Sequence, residues 1–257
     1  MTPQDFAQRL RAGETALGYW IVLDNPAGTE RIARAGYDYV ALDAQHGLFG
    51  YQGLLNGMLA IDASRQAAGV VRVAANDATH IGRALDAGAV AVIVPLVNTA
   101  ADAAAAVAAT RYPPAGIRSY GPMRSGLRVG PVPADANAQT LVFAMIETPD
   151  GLANVEEIAA TPGLDGLYIG PSDLTIALGG ASPADASVAE AFDEALRRVL
   201  AACAANGIVP GIHTAAGAVA RQRLDQGFRL VTIASDLVHL EQIAQQHLAT
   251  AKGDAGA

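Results

Sequence analysis

A chain of 257 residues with 51% hydrophobic and 16% charged side chains is too apolar to be disordered. Its net charge of −8 argues against general nucleic-acid binding, which needs a basic surface. No run approaches the ~18 apolar residues of a membrane span. The longest candidate, residues 87–97, contains Pro95.

The start, "MTPQDFAQRLRAG", is polar and lacks the apolar centre of a secretory signal. A cytoplasmic protein with no membrane association is the expectation. Eight apolar, β-leaning runs follow: "ALGYWIVL", "YDYVALD", "GVVRVAA", "AVAVIVPLV", "LVFAMIE", "GLYIG", "IVPGIH" and "FRLVTIAS". Amphipathic helical patterns lie between and after them, over 28–35, 51–66, 80–87, 100–110, 155–160, 189–206, 217–226 and 237–248. Several helices end in a glycine just before the next strand, as in "RAGYDYV", "DAGAVAV", "ANGIVPG" and "DQGFRLV".

Eight strand-then-helix units with near-continuous apolar strands predict a parallel sheet covered by helices. They close most simply into one (β/α)8 barrel, which commonly takes about 250 residues. The barrel is expected over residues 1–250, with a flexible tail over 251–257. An open doubly wound sheet is the alternative, but no G-x-G-x-x-G follows the first strand. One connection, residues 113–140, is unusually long and rich in Gly, Pro and Arg. Such a loop suits either a subunit interface or the mouth of an active site.

Two residue counts narrow the chemistry. Of the 17 basic residues all are Arg except Lys252, near the C-terminus. A Schiff-base mechanism needs a lysine amine inside a pocket, so lysine-dependent aldolases and pyridoxal-phosphate enzymes are disfavoured. The single cysteine, Cys203, cannot form an intrachain disulfide or a thiolate metal site alone, and reads as a buried structural thiol.

In such a barrel the active site lies at the C-terminal ends of the strands. The polar residues expected there are Asp43 and His46, Arg72, Glu147, the Gly170–Ser172–Asp173 turn, His213, and Ser235 with Asp236. Glu147 and Asp173 both follow strongly apolar runs. Two carboxylates held together repel unless one protonates or a cation lies between them. Hard oxygen ligands of this kind favour Mg²⁺ or Mn²⁺. Helix capping is the plain alternative for Asp173. Arg72, between Val71 and Val73, needs an anionic partner, either structural or a substrate oxyanion. Asp43 and His46 suit a hydrogen-bonded pair in which the carboxylate fixes the imidazole tautomer; an Asp cap beside a surface His is the equal alternative. His80, His239 and His247 fall in helical patterns and are expected to be solvated.

Taken together, "AATRYPPAGIRSYG", "IETPDGLANVEEI" and "GLYIGPSDL" resemble the HpcH/HpaI aldolases, the metal-dependent 2-oxoacid aldolases. The resemblance runs from "GYW" at Gly18 to the last helix. It implies a (β/α)8 barrel whose last helix swaps between the barrels of a dimer, with dimers assembled into hexamers. It implies Glu147 and Asp173 as ligands of a divalent metal, Mg²⁺, Mn²⁺ or Co²⁺. Arg72 would stabilise the enolate oxygen, and His46 with Asp43 would transfer protons. Backbone amides around Gly170 and Ser172 would hold the substrate carboxylate. Asp86 would help order the site. Trp20, Gln45 and Ile212 fall at positions the resemblance gives to substrate binding. Tyr120 would reach a neighbouring subunit and shape the aldehyde pocket.

The implied reaction makes or cleaves 4-hydroxy-2-oxoacids from a pyruvate or hydroxypyruvate enolate and an aldehyde. Two departures bear on substrate choice. Gln45 stands where the family often has Glu, and Met145 where a polar Gln is common. A CoA-thioester lyase of the same superfamily, or a non-catalytic barrel that binds 2-oxoacids, are the rival readings.

Overall fold

A computed structural model of the chain describes residues 2–253. Eight strands close a parallel barrel: β1 (Ala16–Ile21), β2 (Tyr39–Asp43), β3 (Ala68–Arg72), β4 (Ala91–Val94), β5 (Leu141–Ile146), β6 (Gly166–Ile169), β7 (Val209–Thr214) and β8 (Leu230–Ser235). The strands run in sequence order, and β8 pairs back to β1. All eight fall on the runs read from the sequence.

Around the barrel lie α1 (Pro3–Arg11), α2 (Pro26–Ala33), α3 (Tyr51–Ser64), α4 (Ala78–Asp86), α5 (Ala100–Thr110), α6 (Gly126–Val129) and α7 (Pro133–Gln139). The second half carries α8 (Pro149–Ala153), α9 (Val155–Ala159), α10 (Pro171–Ala177), α11 (Ala189–Asn206), α12 (Gly217–Gln226) and α13 (Asp236–Lys252). None of the described helices is long and apolar enough to cross a membrane.

Side chains alternate across each strand, because successive Cβ atoms point to opposite faces. Val40, Leu42, Val71, Val92, Ile169 and Ile212 belong to the cluster between sheet and helices. Tyr39, Ala41, Val70, Ile93, Phe143, Met145 and Tyr168 fill the barrel interior. In its middle layer the Tyr39 and Tyr168 hydroxyls both meet Thr232 Oγ1, at 2.6 and 2.5 Å. Gly18 makes room for Tyr39: a Cβ there would overlap the ring. The same alternation carries Trp20, Asp43, Arg72 and His213 inward at the upper rim.

The polar N-terminus, not read as a helix, is α1. Thr2 accepts from the Asp5 amide and Asp5 from the Thr2 amide, a reciprocal cap, with Pro3 in the first turn. Phe6, Ala7 and Leu10 join the interior cluster, so α1 closes the lower end of the barrel. The long connection is likewise not structureless. It contains α6 and α7 and is fastened to α3 by Arg124 and Arg128, both paired with Asp62. Helix α13 continues to Lys252, two residues past the expected end of the barrel domain; residues 254–257 of the expected tail lie outside the described residues. No α13 side chain is buried, and Leu240, Ile243 and Leu248 are exposed on it. Cys203 is buried, and burial pushes its thiol up to about 12. His239 is exposed, as expected, and its Nδ1 also meets the Tyr19 hydroxyl at 2.8 Å.

Candidate active site

A cavity of about 240 Å³ opens at the upper rim, walled by Trp20, His46, Arg72, Met145, the Gly170–Asp173 turn and His213. It sits where the C-terminal ends of the strands converge, the usual place for chemistry in this architecture.

Its cationic member is Arg72. Asp43 and Arg72 are Cα partners across β2 and β3, so alternation points both inward at one level. The guanidinium is bidentate on the carboxylate, with Nε to Oδ1 at 2.9 Å and Nη2 to Oδ2 at 2.5 Å. Trp20 donates its indole N–H to Asp43 Oδ2 at 3.2 Å and lies 5.1 Å beneath the guanidinium. The backbone amides of Gln45 and His46 complete the set, at 3.0 and 3.2 Å from Asp43 Oδ1. Burial pushes the Asp43 carboxyl up, but Arg72 and these donors outweigh it and hold the carboxyl below the usual range.

This corrects the expected Asp43–His46 pair. Asp43 accepts the backbone N–H of His46, not its ring; the carboxylate is occupied by Arg72. His46 stands exposed at the rim, in the cavity wall.

Glu147 continues the inward alternation of β5 and is 3% exposed. Its Oε1 accepts the Leu96 amide at 2.8 Å, while Oε2 is buried without a partner. Leu96 has a left-handed backbone, φ 54°, which turns that amide toward the carboxylate. Burial, with the nearby Asp173 charge, pushes the Glu147 carboxyl above its ordinary range against the Leu96 bond. Asp173, in the first turn of α10, is exposed in the cavity wall.

A desolvated carboxylate with one orphaned oxygen, near enough to a second carboxylate to feel its charge, suits a hard divalent cation. Among the described residues no group of three or more His, Cys, Asp or Glu could hold a metal, so the protein's share would be these two. Gly170 allows the approach: a Cβ there would lie 2.6 Å from Glu147 Oε2 and 2.6 Å from Met145 Cε. Pro171 has no N–H, so the open amides of the α10 turn belong to Ser172 and Asp173.

With this geometry in view, the chain was compared with known proteins. A family model described as HpcH/HpaI aldolase/citrate lyase matches residues 16–242. The chain belongs to that family. It is therefore a carbon–carbon lyase by descent. It is 39% identical over 241 residues to a hydroxypyruvate/pyruvate aldolase of Rhizorhabdus wittichii, covering 93% of this chain and 95% of that protein. A 5-keto-4-deoxy-D-glucarate aldolase of Klebsiella pneumoniae is 40% identical, with 91% of each chain covered. A solved HpcH/HpaI aldolase/citrate lyase family protein of Burkholderia cenocepacia superposes with a TM-score of 0.87 at 34% identity, covering 97% of this chain and 99% of that one.

Six residues that the family resemblance assigned to the site are not in this cavity's wall: Asp43 and Glu147, both buried, and the four that follow. Ile212 points outward into the sheet–helix core; its neighbour His213 forms the wall instead. Gln45 is half-buried, with Oε1 unpaired. Asp86 is the last residue of α4, far from the strand C-termini, and pairs with Arg118 at 2.8 Å. Tyr120 is 59% exposed, and its hydroxyl donates to the Pro131 carbonyl at 3.0 Å. Val22 and Ser235 also line the cavity; of these the sequence reading had marked only Ser235.

Proposed function

We propose that this member of the family is a metal-dependent aldolase that makes or cleaves 4-hydroxy-2-oxoacids. The observation that carries the reading is the buried Glu147 at the end of β5, its Oε2 unpartnered, within the influence of the Asp173 and Arg72 charges. Glu147 and Asp173 would hold a divalent cation, Mg²⁺, Mn²⁺ or Co²⁺. Bound there, the cation would act as a Lewis acid on the 2-oxoacid carbonyl.

The chain's own residues carry the rest. The open Ser172 and Asp173 amides bind the substrate carboxylate. Arg72 spends Nε and Nη2 on Asp43, which leaves Nη1 to donate to the C2 oxygen. In cleavage His46 takes the proton of the 4-hydroxyl and the C3–C4 bond breaks. The aldehyde departs and the electron pair passes to the C2 oxygen, where Arg72 meets the developing negative charge. Condensation runs the same steps backward. Asp43 holds the guanidinium in place and does not itself transfer a proton.

The CoA-thioester reading needs a basic surface for phosphates, and the Arg-bearing loop was its candidate. Arg118 is paired with Asp86, and Arg124 and Arg128 with Asp62, which favours a structural use. We also propose that α13 packs on a second copy of the chain, because its apolar side chains are uncovered on its own barrel.

Proton exchange in D₂O tests the reaction. Metal-stripped enzyme is incubated with pyruvate or hydroxypyruvate without aldehyde, then with added Mg²⁺ or Mn²⁺. Metal-dependent loss of the C3 proton signal is the expected result; its absence with both donors would refute the reading.

A further inference from the structure

Strand β8 does not run regularly to its end. Its pairing with β1 keeps one register from Ala16–Leu230 to Tyr19–Ile233; Trp20 then pairs with Ser235, which leaves Ala234 as an extra residue. Ala234 has a left-handed backbone, φ 51°, which a residue with a Cβ resists. Leu230 and Thr232 point into the barrel, so alternation would send residue 234 inward and residue 235 outward. The bulge reverses that order. Ser235 lines the cavity, and Asp236 comes to the exit of β1.

There Asp236 meets two successive amides. Its Oδ1 accepts the Val22 N–H at 2.9 Å and its Oδ2 the Leu23 N–H at 3.2 Å. Strand β1 ends at Ile21, so these are the first amides beyond it. Oδ1 also accepts the Leu237 N–H at 3.0 Å, which ties the clamp to the first turn of α13. Val22 is held on its other side as well: its carbonyl accepts the Leu48 N–H at 2.7 Å. Leu48 lies in the same loop as His46, past a turn in which the Gly47 N–H reaches the Asp43 carbonyl at 3.0 Å. The Val22 backbone therefore links Asp236 to the loop that presents His46. Just before Val22 along the chain is Trp20, whose ring lies 5.1 Å beneath the Arg72 guanidinium and 6.2 Å from the Tyr168 ring. Trp20 and Val22 both wall the cavity.

We propose that Asp236 is a positioning residue for the site. It holds the exit of β1, and so sets where Trp20 and Val22 stand in the wall and, through the Val22 carbonyl, where the loop carries His46. The part that concerns His46 rests on the aldolase reading; the part that concerns Trp20 and Val22 does not. A carboxylate suits the task because it only accepts, and here two donors from consecutive residues face its two oxygens. Its charge makes each bond stronger than a neutral acceptor would. An asparagine would turn an NH₂ group toward one of the two amides. Glu147 and the α10 turn, which would hold the metal and the substrate carboxylate, follow β5 and β6, across the barrel from β1. Loss of Asp236 therefore displaces Trp20 and His46 more than it weakens substrate binding.

Trp20 is the only tryptophan of the chain and is 5% exposed, so its fluorescence reports the wall without an activity assay. Acrylamide quenching is measured on metal-free wild type, D236A, D236N and H239A, at a temperature where far-UV circular dichroism shows all of them folded. H239A is the control: it cuts the other tether of the α13 start to β1, the Tyr19 hydroxyl bond, and leaves Val22 alone. The quenching constant is expected to rise about twofold or more in D236A, by less in D236N, and not in H239A. In metal-dependent C3 proton exchange with pyruvate, kcat should fall about tenfold or more in D236A with KM within about threefold of wild type, because misplacement costs rate more than binding. Quenching equal to wild type in D236A and D236N would overturn the inference, whatever the activity does. So would an equal rise in D236A and H239A, which would assign the effect to loosening of the helix start. D236N alone decides if D236A does not fold. Raised quenching in D236A with no exchange in wild type supports the clamp on Trp20 and sinks the aldolase reading by itself.

Discussion

Replacing Asp43 by asparagine removes one charge and almost no volume. The carboxamide oxygen can still accept the Gln45 and His46 amides. Its NH₂ group, which only donates, takes the place of the oxygen that Trp20 and the Arg72 Nη2 now share. The loss therefore falls mainly on Arg72. Both partners are buried, the Asp43 residue 1% and Arg72 7% exposed. Breaking a buried ion pair from one side costs about 3–5 kcal/mol, because the remaining charge is desolvated and unpaired. For a chain of this size each kcal/mol lowers Tm by about 2–4 °C, so D43N is expected to melt roughly 6–20 °C below wild type. Removing both charges, in D43L/R72M, should cost less than the two single changes summed, by about 0.5–3 kcal/mol.

The pH dependence carries a second signature. The folded Asp43 carboxyl titrates below its unfolded value, so its contribution is full above about pH 4 and is lost as pH falls through the folded pKa. The gap between wild type and D43N should therefore be constant from about pH 5 to pH 8 and close below about pH 4. Thermal and urea denaturation of metal-free protein, across pH, measure it. A D43N loss under about 1 kcal/mol at pH 7 would refute the buried-pair argument.

Glu147 gives the opposite sign. Its raised pKa means its contribution is full below about pH 4 and declines as pH rises through the folded value. Metal-free E147Q should accordingly melt above wild type at pH 7, with the difference vanishing near pH 4; Mn²⁺ should then raise the Tm of wild type only. A Mn²⁺-induced rise in E147Q as large as in wild type would remove Glu147 from the metal site. R72K keeps the charge but loses the fork on Asp43 and the third N–H, so exchange kcat/KM should fall about 100-fold or more; near wild-type turnover would make Arg72 structural. L240D/I243D places charges on the exposed face of α13, and light scattering should report a smaller species than wild type. An unchanged mass would exclude α13 from a subunit interface.

Local order along the chain was open to reading. The runs ending in Asp43, Arg72 and Glu147 have the length and apolar continuity of buried parallel strands. The glycines that close helices before the next strand, Gly36, Gly88, Gly207 and Gly227, all have positive φ, which other residues resist. Helix α1 was missed although its signs were present: Thr2, Pro3 and Asp5 spell a capped start. Its polar composition hid the apolar stripe of Phe6, Ala7 and Leu10, which is visible only against the lower end of the barrel.

Site membership was partly legible. Residues at strand ends were named correctly because a (β/α)8 barrel gathers those ends in one place. Partnership was not. Asp43 was matched to His46, three residues away, because sequence distance is all a single chain offers. Its true partner, Arg72, is 29 residues away and is set by the register between β2 and β3. His213 was legible as a strand-end residue, but Ile212, assigned to substrate binding, points outward, because alternation along β7 puts the two on opposite faces.

The sequence by itself determined the eight strand–helix units, the closed parallel architecture, a chain whose single lysine is Lys252, and the carboxylates at the strand ends. These follow from periodicity and composition, which act locally. Only the tertiary structure decided which side chains share a wall, that Asp43 holds Arg72, that Glu147 keeps one oxygen free, and that His213 is left unpaired. Those depend on strand register and on burial, and both arise from packing between residues far apart in the chain.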